Sequence, residues 1–222
     1  MYRHGEPPCV HYHSENDLDM QRKEHKMKVI QEGAGESLVV LIGEEDIHPY
    51  AQEFPGVCFL GIYDYDWNRY MSPWPAERIF RKGEDFAGEA DEFLKELDPV
   101  LKKYPQSRKI IIGYSLAGLF ALYASTVRDD LYGAGSVSGS LWYKDLDTYM
   151  KSHPCKAHRV YLSLGDLEKN TRNPLMSKVE EKTTEIAKLL DPDHEVIFEL
   201  NEGNHFKDAG RRITRAIRWL LR

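Results

Sequence analysis

Cysteine is scarce in this chain: Cys9, Cys58 and Cys155 are the three in 222 residues, widely spaced and odd in number. That pattern does not make a disulfide framework and suits a reducing compartment, so the cytoplasm is the expected location. Long apolar runs are missing too. The longest, such as residues 37–43 and 109–113, fall far short of the ~18 to 20 residues that cross a bilayer, so no membrane partner is expected. The opening residues MYRHGE lack the apolar stretch of a secretory leader. Positive charge is not in excess: 30 Lys plus Arg against 36 Asp plus Glu give a net charge of −6, and a phosphate backbone would find no basic field to hold it. Nucleic acid is therefore not an expected partner. There is no Gly-rich phosphate loop followed by Lys and Ser or Thr, so no nucleotide cofactor is implied, and no internal repeat.

What is present is the composition of a soluble globular chain, 41% hydrophobic and 30% charged, of a length that one α/β domain commonly occupies. Residues 1–35 read as a polar, His-rich arm followed by an edge strand, MKVIQE, and residues 36–222 as the main domain. Within it, short apolar runs without alternation recur at 38–42, 57–63, 109–114, 134–138, 160–164 and 196–200. Such runs suit strands buried on both faces. Helical spacing of apolar residues predicts helices over 85–104, 116–126, 175–190 and 207–221. Alternation of strand and helix implies an α/β fold, doubly wound, with a mostly parallel sheet and helices on both faces. The exception is the aromatic and charged stretch 63–82, too long for an ordinary connection. Loops of that kind at strand ends often line a site.

The sequence GYSLAG at 113–118 follows the 109–112 strand and runs straight into an apolar helix. A serine on a sharp strand-to-helix turn needs small neighbours, which Gly113 and Ala117 supply. Ser115 is thus the candidate nucleophile, and the backbone amide of Leu116, in the first turn of the helix, points where an oxyanion would form. A serine hydroxyl needs a general base, usually a histidine oriented by a carboxylate. Of the nine histidines, eight lie in the polar arm or in connections that read as surface. His205 instead follows the last apolar strand, in the loop before the final helix, and is the candidate base. The turn after the 160–164 strand, GDLEKN, offers Asp166 and Glu168. Glu168 is preferred, because a residue directly after Gly165 more often serves the tight turn, whereas one further on can reach back over the strand end; Asp166 in that role, or a Ser and His dyad with no committed acid, stays open. His11 and His13, near His4 and Cys9, match no closed zinc site, so no metal is expected.

Taken jointly, GYSLAG with LFALYA, DWNRYMSPWPA at 66–76, SGSLWY at 138–143, GDLE at 165–168 and GNHF at 203–206 resemble the esterase family of the α/β-hydrolase fold. That group holds esterase D-type enzymes and the siderophore (enterobactin-type) esterases. The resemblance covers about residues 36–222 and implies the same triad, Ser115, His205 and Glu168. It further implies a second oxyanion donor from the turn after the 38–42 strand, here the backbone amide of Glu44. Ala117 stands where many hydrolases have Gly.

The expected activity is hydrolysis of a small-molecule carboxylic ester through an acyl-enzyme, without a cofactor. An acyltransferase or thioesterase on the same fold, or a binding module that keeps the fold without catalysis, are the competing readings. Aromatic walls with a few cations suit a flat or anionic group. Trp67, Arg69 and Trp142 are the candidate substrate-binding residues, and an iron-loaded catecholate siderophore would favour Arg69.

Overall fold

A computed structural model describes residues 27–79 and 81–222; the polar arm at 1–26, with Cys9, His11 and His13, lies outside them. Seven strands form one sheet: β1 (Lys28–Glu32), β2 (Ser37–Ile42), β3 (Val57–Tyr63), β4 (Arg108–Tyr114), β5 (Leu131–Val137), β6 (Arg159–Gly165) and β7 (Glu195–Asn201). Their order is β1-β3-β2-β4-β5-β6-β7. The edge strand β1 is antiparallel to β3, and every other pairing is parallel.

Successive side chains on a strand point to opposite faces, and here both faces are covered. Leu38, Val40 and Ile42 join one apolar cluster with Ile111, Phe93 and Phe120, while Val39 and Leu41 join another with Ile110, Ile112, Ile213 and Leu220. The first cluster packs under α3 (Ala90–Leu101) and α4 (Leu116–Val127), and also under α5 (Leu146–Ser152) and α6 (Val179–Leu190). The second lies under α7 (Ala209–Leu220) and a short α1 (His48–Glu53). One more turn of helix, α2 (Trp67–Tyr70), sits inside the long aromatic stretch.

Several expected boundaries are corrected. The helix expected over 85–104 begins at Ala90, because Phe86 is held by Ala76 in an antiparallel bridge. The helix over 175–190 opens as a 3₁₀ turn, Met176–Lys178, before α6. The final helix starts at Ala209, after Asp208 at φ 54°. Strand β5 starts three residues earlier than expected: Gly133 and Gly135 interrupt its apolar run because the side chain of Leu220 approaches the sheet there, within 3.0 and 3.3 Å of where a Cβ would stand. The strand expected to be buried at 196–200 is instead the sheet edge. Val196, Ile197 and Phe198 are half-buried, and Leu200 is 49% exposed.

The strand order reverses at β2 and β4, which lie side by side although β3 falls between them in sequence. In open parallel sheets ligands bind in the crevice outside the strand ends at such a switch. The pairing of Ile42 with Gly113 sets the turn at Gly43 and Glu44 beside the turn at Ser115.

Candidate active site

Four consecutive strands, β4 to β7, deliver the polar residues of the site from their C-terminal ends. Ser115 follows β4 with φ 59° and ψ −120°, a conformation that strains any residue but glycine. The strain is held by its surroundings. The Ser115 amide donates to the Val137 carbonyl at 3.0 Å, and the Ser115 carbonyl accepts from the amides of Gly118 and Ser140, each at 3.0 Å. A Cβ at position 113 would stand 2.1 Å from the Ala117 carbonyl oxygen, so only glycine lets the chain fold back this closely. Leu116 opens α4, and its amide is among the first-turn donors that no carbonyl within the helix can accept.

The structure brings Ser115, His205 and Glu168 together. His205 Nε2 lies 3.0 Å from Ser115 Oγ, and His205 Nδ1 lies 2.7 Å from Glu168 Oε2. The other carboxylate oxygen, Oε1, accepts from the Gly165 amide at 2.6 Å and from Arg212 Nη1 at 3.0 Å. The Glu168 side chain is 5% exposed. Burial works to raise its pKa, but hydrogen bonds from His205 and the Gly165 amide, with the nearby His205 charge and Ser138, outweigh that and hold it below the usual carboxylate range. Asp166 serves the backbone instead: its Oδ1 accepts from the Gly203 amide at 2.8 Å, tying the turn after β6 to the loop that carries His205. The Tyr114 hydroxyl donates to the His205 carbonyl and closes the same loop from β4.

Sequence reasoning missed Arg212. Its side chain is 2% exposed, and Nη1 donates to Ser138 Oγ at 2.8 Å as well as to Glu168. Nη2 donates to the Asn204 carbonyl at 2.9 Å. One guanidinium therefore joins the acid, the end of β5 and the base loop. The signal was present: Arg212, Ala216 and Leu220 stand four apart on α7, so a charged residue occupies the helix's buried stripe.

At the neighbouring turn, Gly43 has φ 93° and its amide donates to the Ile62 carbonyl at 2.7 Å. The Glu44 carboxyl is pushed up to about 7, by burial first and by Asp46 second. The buried phenols of Tyr50 and Tyr65 are raised by burial and further by Glu44.

Above Ser115 opens a cavity of about 530 Å³ whose walls include Trp67, Ile79, Phe86, Trp142, Met176 and Val179. Of the candidate substrate-binding residues, Trp67 and Trp142 line this cavity. Arg69 does not. Its Nε is bound to Glu89 Oε2 at 2.5 Å, its guanidinium lies 5.0 Å from the Tyr70 ring centre, and it takes no part in the cavity wall. Arg78 is the arginine that lines the cavity, together with Glu84. The other aromatics of the long stretch divide: Tyr65 and Tyr70 are buried against Phe93, and Trp74 Nε1 donates to the Lys144 carbonyl at 2.9 Å. Among the described residues no group of three or more His, Cys, Asp or Glu is placed to hold a metal ion, and no helix is long and apolar enough to cross a membrane.

Residues 63–202 match the family model described as "Putative esterase". A Bacillus subtilis (strain 168) relative, "Uncharacterized protein YbbA", is 25% identical over 188 residues, covering 76% of this chain and 75% of its own length. Among solved structures, an IroE-like serine hydrolase from Shewanella oneidensis is 17% identical with a TM-score of 0.69, over 86% of this chain and 73% of that one. The siderophore hydrolase EstA from Aspergillus nidulans is 19% identical with a TM-score of 0.63, over 87% and 93%. At these identities the likeness establishes the shared α/β-hydrolase fold.

Proposed function

The chain belongs to that esterase family and is a carboxylic ester hydrolase, and we propose that it works through an acyl-enzyme on Ser115, with His205 as base and Glu168 as the acid that holds the imidazole. The observation that carries this reading is the continuous chain Ser115 Oγ, His205, Glu168, at 3.0 and 2.7 Å, at a strained strand-to-helix turn. Ser115 Oγ attacks the ester carbonyl carbon while His205 Nε2 takes its proton. The amides of Leu116 and Glu44 donate to the oxyanion. Collapse of the tetrahedral intermediate breaks the bond to the alcohol oxygen, which receives the proton from His205. Water, deprotonated by the same imidazole, then releases the acid and restores Ser115. Glu168, ionised by its hydrogen bonds, keeps Nδ1 protonated and stabilises the imidazolium in both halves.

The substrate is a small-molecule ester seated between Trp67 and Trp142. The experiment is a stopped-flow assay with a 4-nitrophenyl ester: a burst of nitrophenol stoichiometric with enzyme, absent in Ser115→Ala, supports the acyl-enzyme, and unchanged turnover in that variant contradicts it. Partition of the acyl group between water and an added alcohol or thiol separates the hydrolase from an acyltransferase. Free acid as the main product is expected.

A further inference from the structure

Two segments far apart in sequence meet above the cavity. One runs out from Ala76 and back to Phe86, its ends paired by Ala76 N to Phe86 O at 3.1 Å and Phe86 N to Ala76 O at 2.9 Å; it contributes Ile79 and Phe86 to the wall. The other leads from β6 into α6 and contributes Met176 and Val179. Asn173 belongs to the second segment and is not part of the wall. Its Oδ1 accepts from the amides of Leu175 and Met176 at 3.0 and 3.2 Å, shaping the start of the 3₁₀ turn. Its Nδ2 reaches across to donate to the Ile79 carbonyl at 3.1 Å. Among the described residues this is the one hydrogen bond that joins the two segments.

We propose that Asn173 is a specificity-determining residue: its amide clasps the two roof segments over an apolar chamber that takes esters with a bulky, uncharged acyl group. This rests on the serine-esterase reading above. A volume of about 530 Å³ is far more than an acetyl group fills and lies within the range of sites for drug-sized ligands. Outside Glu168 and His205, the charged groups in the wall are Arg78 and Glu84, one of each sign, and the Arg78 backbone amide donates to Asp85 Oδ1 at 3.1 Å. Among the described residues the wall therefore supplies no net positive field for an anionic acyl group. Each acyl methylene buried in such walls is worth about fourfold in kcat/KM, provided the two segments stay closed on it.

The test uses the two functions of the Asn173 amide. Asn173→Asp keeps an acceptor for the Leu175 and Met176 amides but has no hydrogen to give Ile79; Asn173→Ala loses both. The ratio of kcat/KM for 4-nitrophenyl octanoate to that for 4-nitrophenyl acetate is measured for the wild type and both variants, with thermal midpoints. The ratio is expected to be well above one in the wild type and to fall about tenfold in both variants through KM for the octanoate, while the midpoint falls chiefly in Asn173→Ala. A wild-type preference for acetate, or equal losses on both esters in Asn173→Asp, overturns the clasp. A 4-nitrophenyl hemisuccinate, anionic at the far end, should be turned over at least tenfold less efficiently than the neutral butyrate; the reverse order overturns the uncharged acyl class. Ser115→Ala is run in parallel: acetate hydrolysis that survives it sinks the serine reading, whereas its loss with an unchanged ratio in Asn173→Asp sinks the clasp alone.

Discussion

The floor and the roof of the cavity are built by opposite means. At the floor, Glu168, His205, Ser138 and Arg212 exchange hydrogen bonds between 2.7 and 3.0 Å, and the charged members are nearly buried. At the roof, aromatic and aliphatic side chains line the cavity and, among the described residues, a single side-chain hydrogen bond links the two covering segments. Buried polar networks fix geometry because an unpaired member is costly. Apolar contacts are non-directional and tolerate change. Under the function proposed here, the strand ends set the chemistry rigidly, and the covering loops set the substrate range and can be altered without disturbing Ser115, His205 and Glu168.

Substitutions at the floor should then act on turnover and substitutions at the roof on substrate preference. The largest effects belong to Ser115→Ala and His205→Ala, each expected to lower kcat by on the order of 10⁶, as in other triads where either member disables the unit. Steady-state assays on a nitrophenyl ester check this. Glu168→Gln should cost less, about 10⁴, and more than Asp166→Asn, which leaves the His205 partner in place.

Arg212→Met should lower kcat by roughly one to two orders of magnitude. It should also lower the thermal midpoint, since removing one partner of a buried ion pair costs about 3 to 5 kcal/mol. With that cation gone the Glu168 pKa rises, so the acid limb of the pH–rate profile should move to higher pH. An unmoved limb would reduce Arg212 to a packing role. Trp142→Ala should raise KM by about tenfold with kcat nearly kept, breaking the contrast if kcat falls instead.

The smallest expected effect involves two glutamates shifted in opposite directions. The Glu168 pKa is depressed, so its contribution to stability is present above the ordinary carboxylate range and is lost as pH falls through its folded value. The Glu44 pKa is raised to about 7, so burial of its neutral form favours folding at low pH and that advantage is lost as pH rises from about 4.5 to about 7. Glu44→Gln should therefore raise the thermal midpoint by a few degrees at pH 8 and leave it unchanged near pH 4.

Much of the floor was legible in the sequence because it rests on local rules. Apolar runs without alternation marked the buried strands, small residues at 113 and 117 marked the turn, and chain order supplied His205 and Glu168. Edge position was not legible: β7 carries Val196, Ile197 and Phe198 like an inner strand, and only pairing on one side makes it half-exposed. Arg69 misled because its partner, Glu89, lies 20 positions on, and a single turn of helix at 67–70 has no periodicity to show which way it faces. Asn173 sits 94 positions from the residue it clasps, and nothing local distinguishes it from any turn asparagine. The roof is made of such long-range meetings, which composition and spacing do not encode.

If the floor activates a single serine, that serine should react covalently with an electrophile far faster than any other hydroxyl. Intact protein is incubated with a fluorophosphonate probe and the modified peptide identified by mass spectrometry, in the wild type and in His205→Ala. One adduct on Ser115 is expected in the wild type, formed at least a thousandfold more slowly without the imidazole. Folded wild-type protein that stays unlabelled, or that carries the adduct on another residue, would contradict the triad.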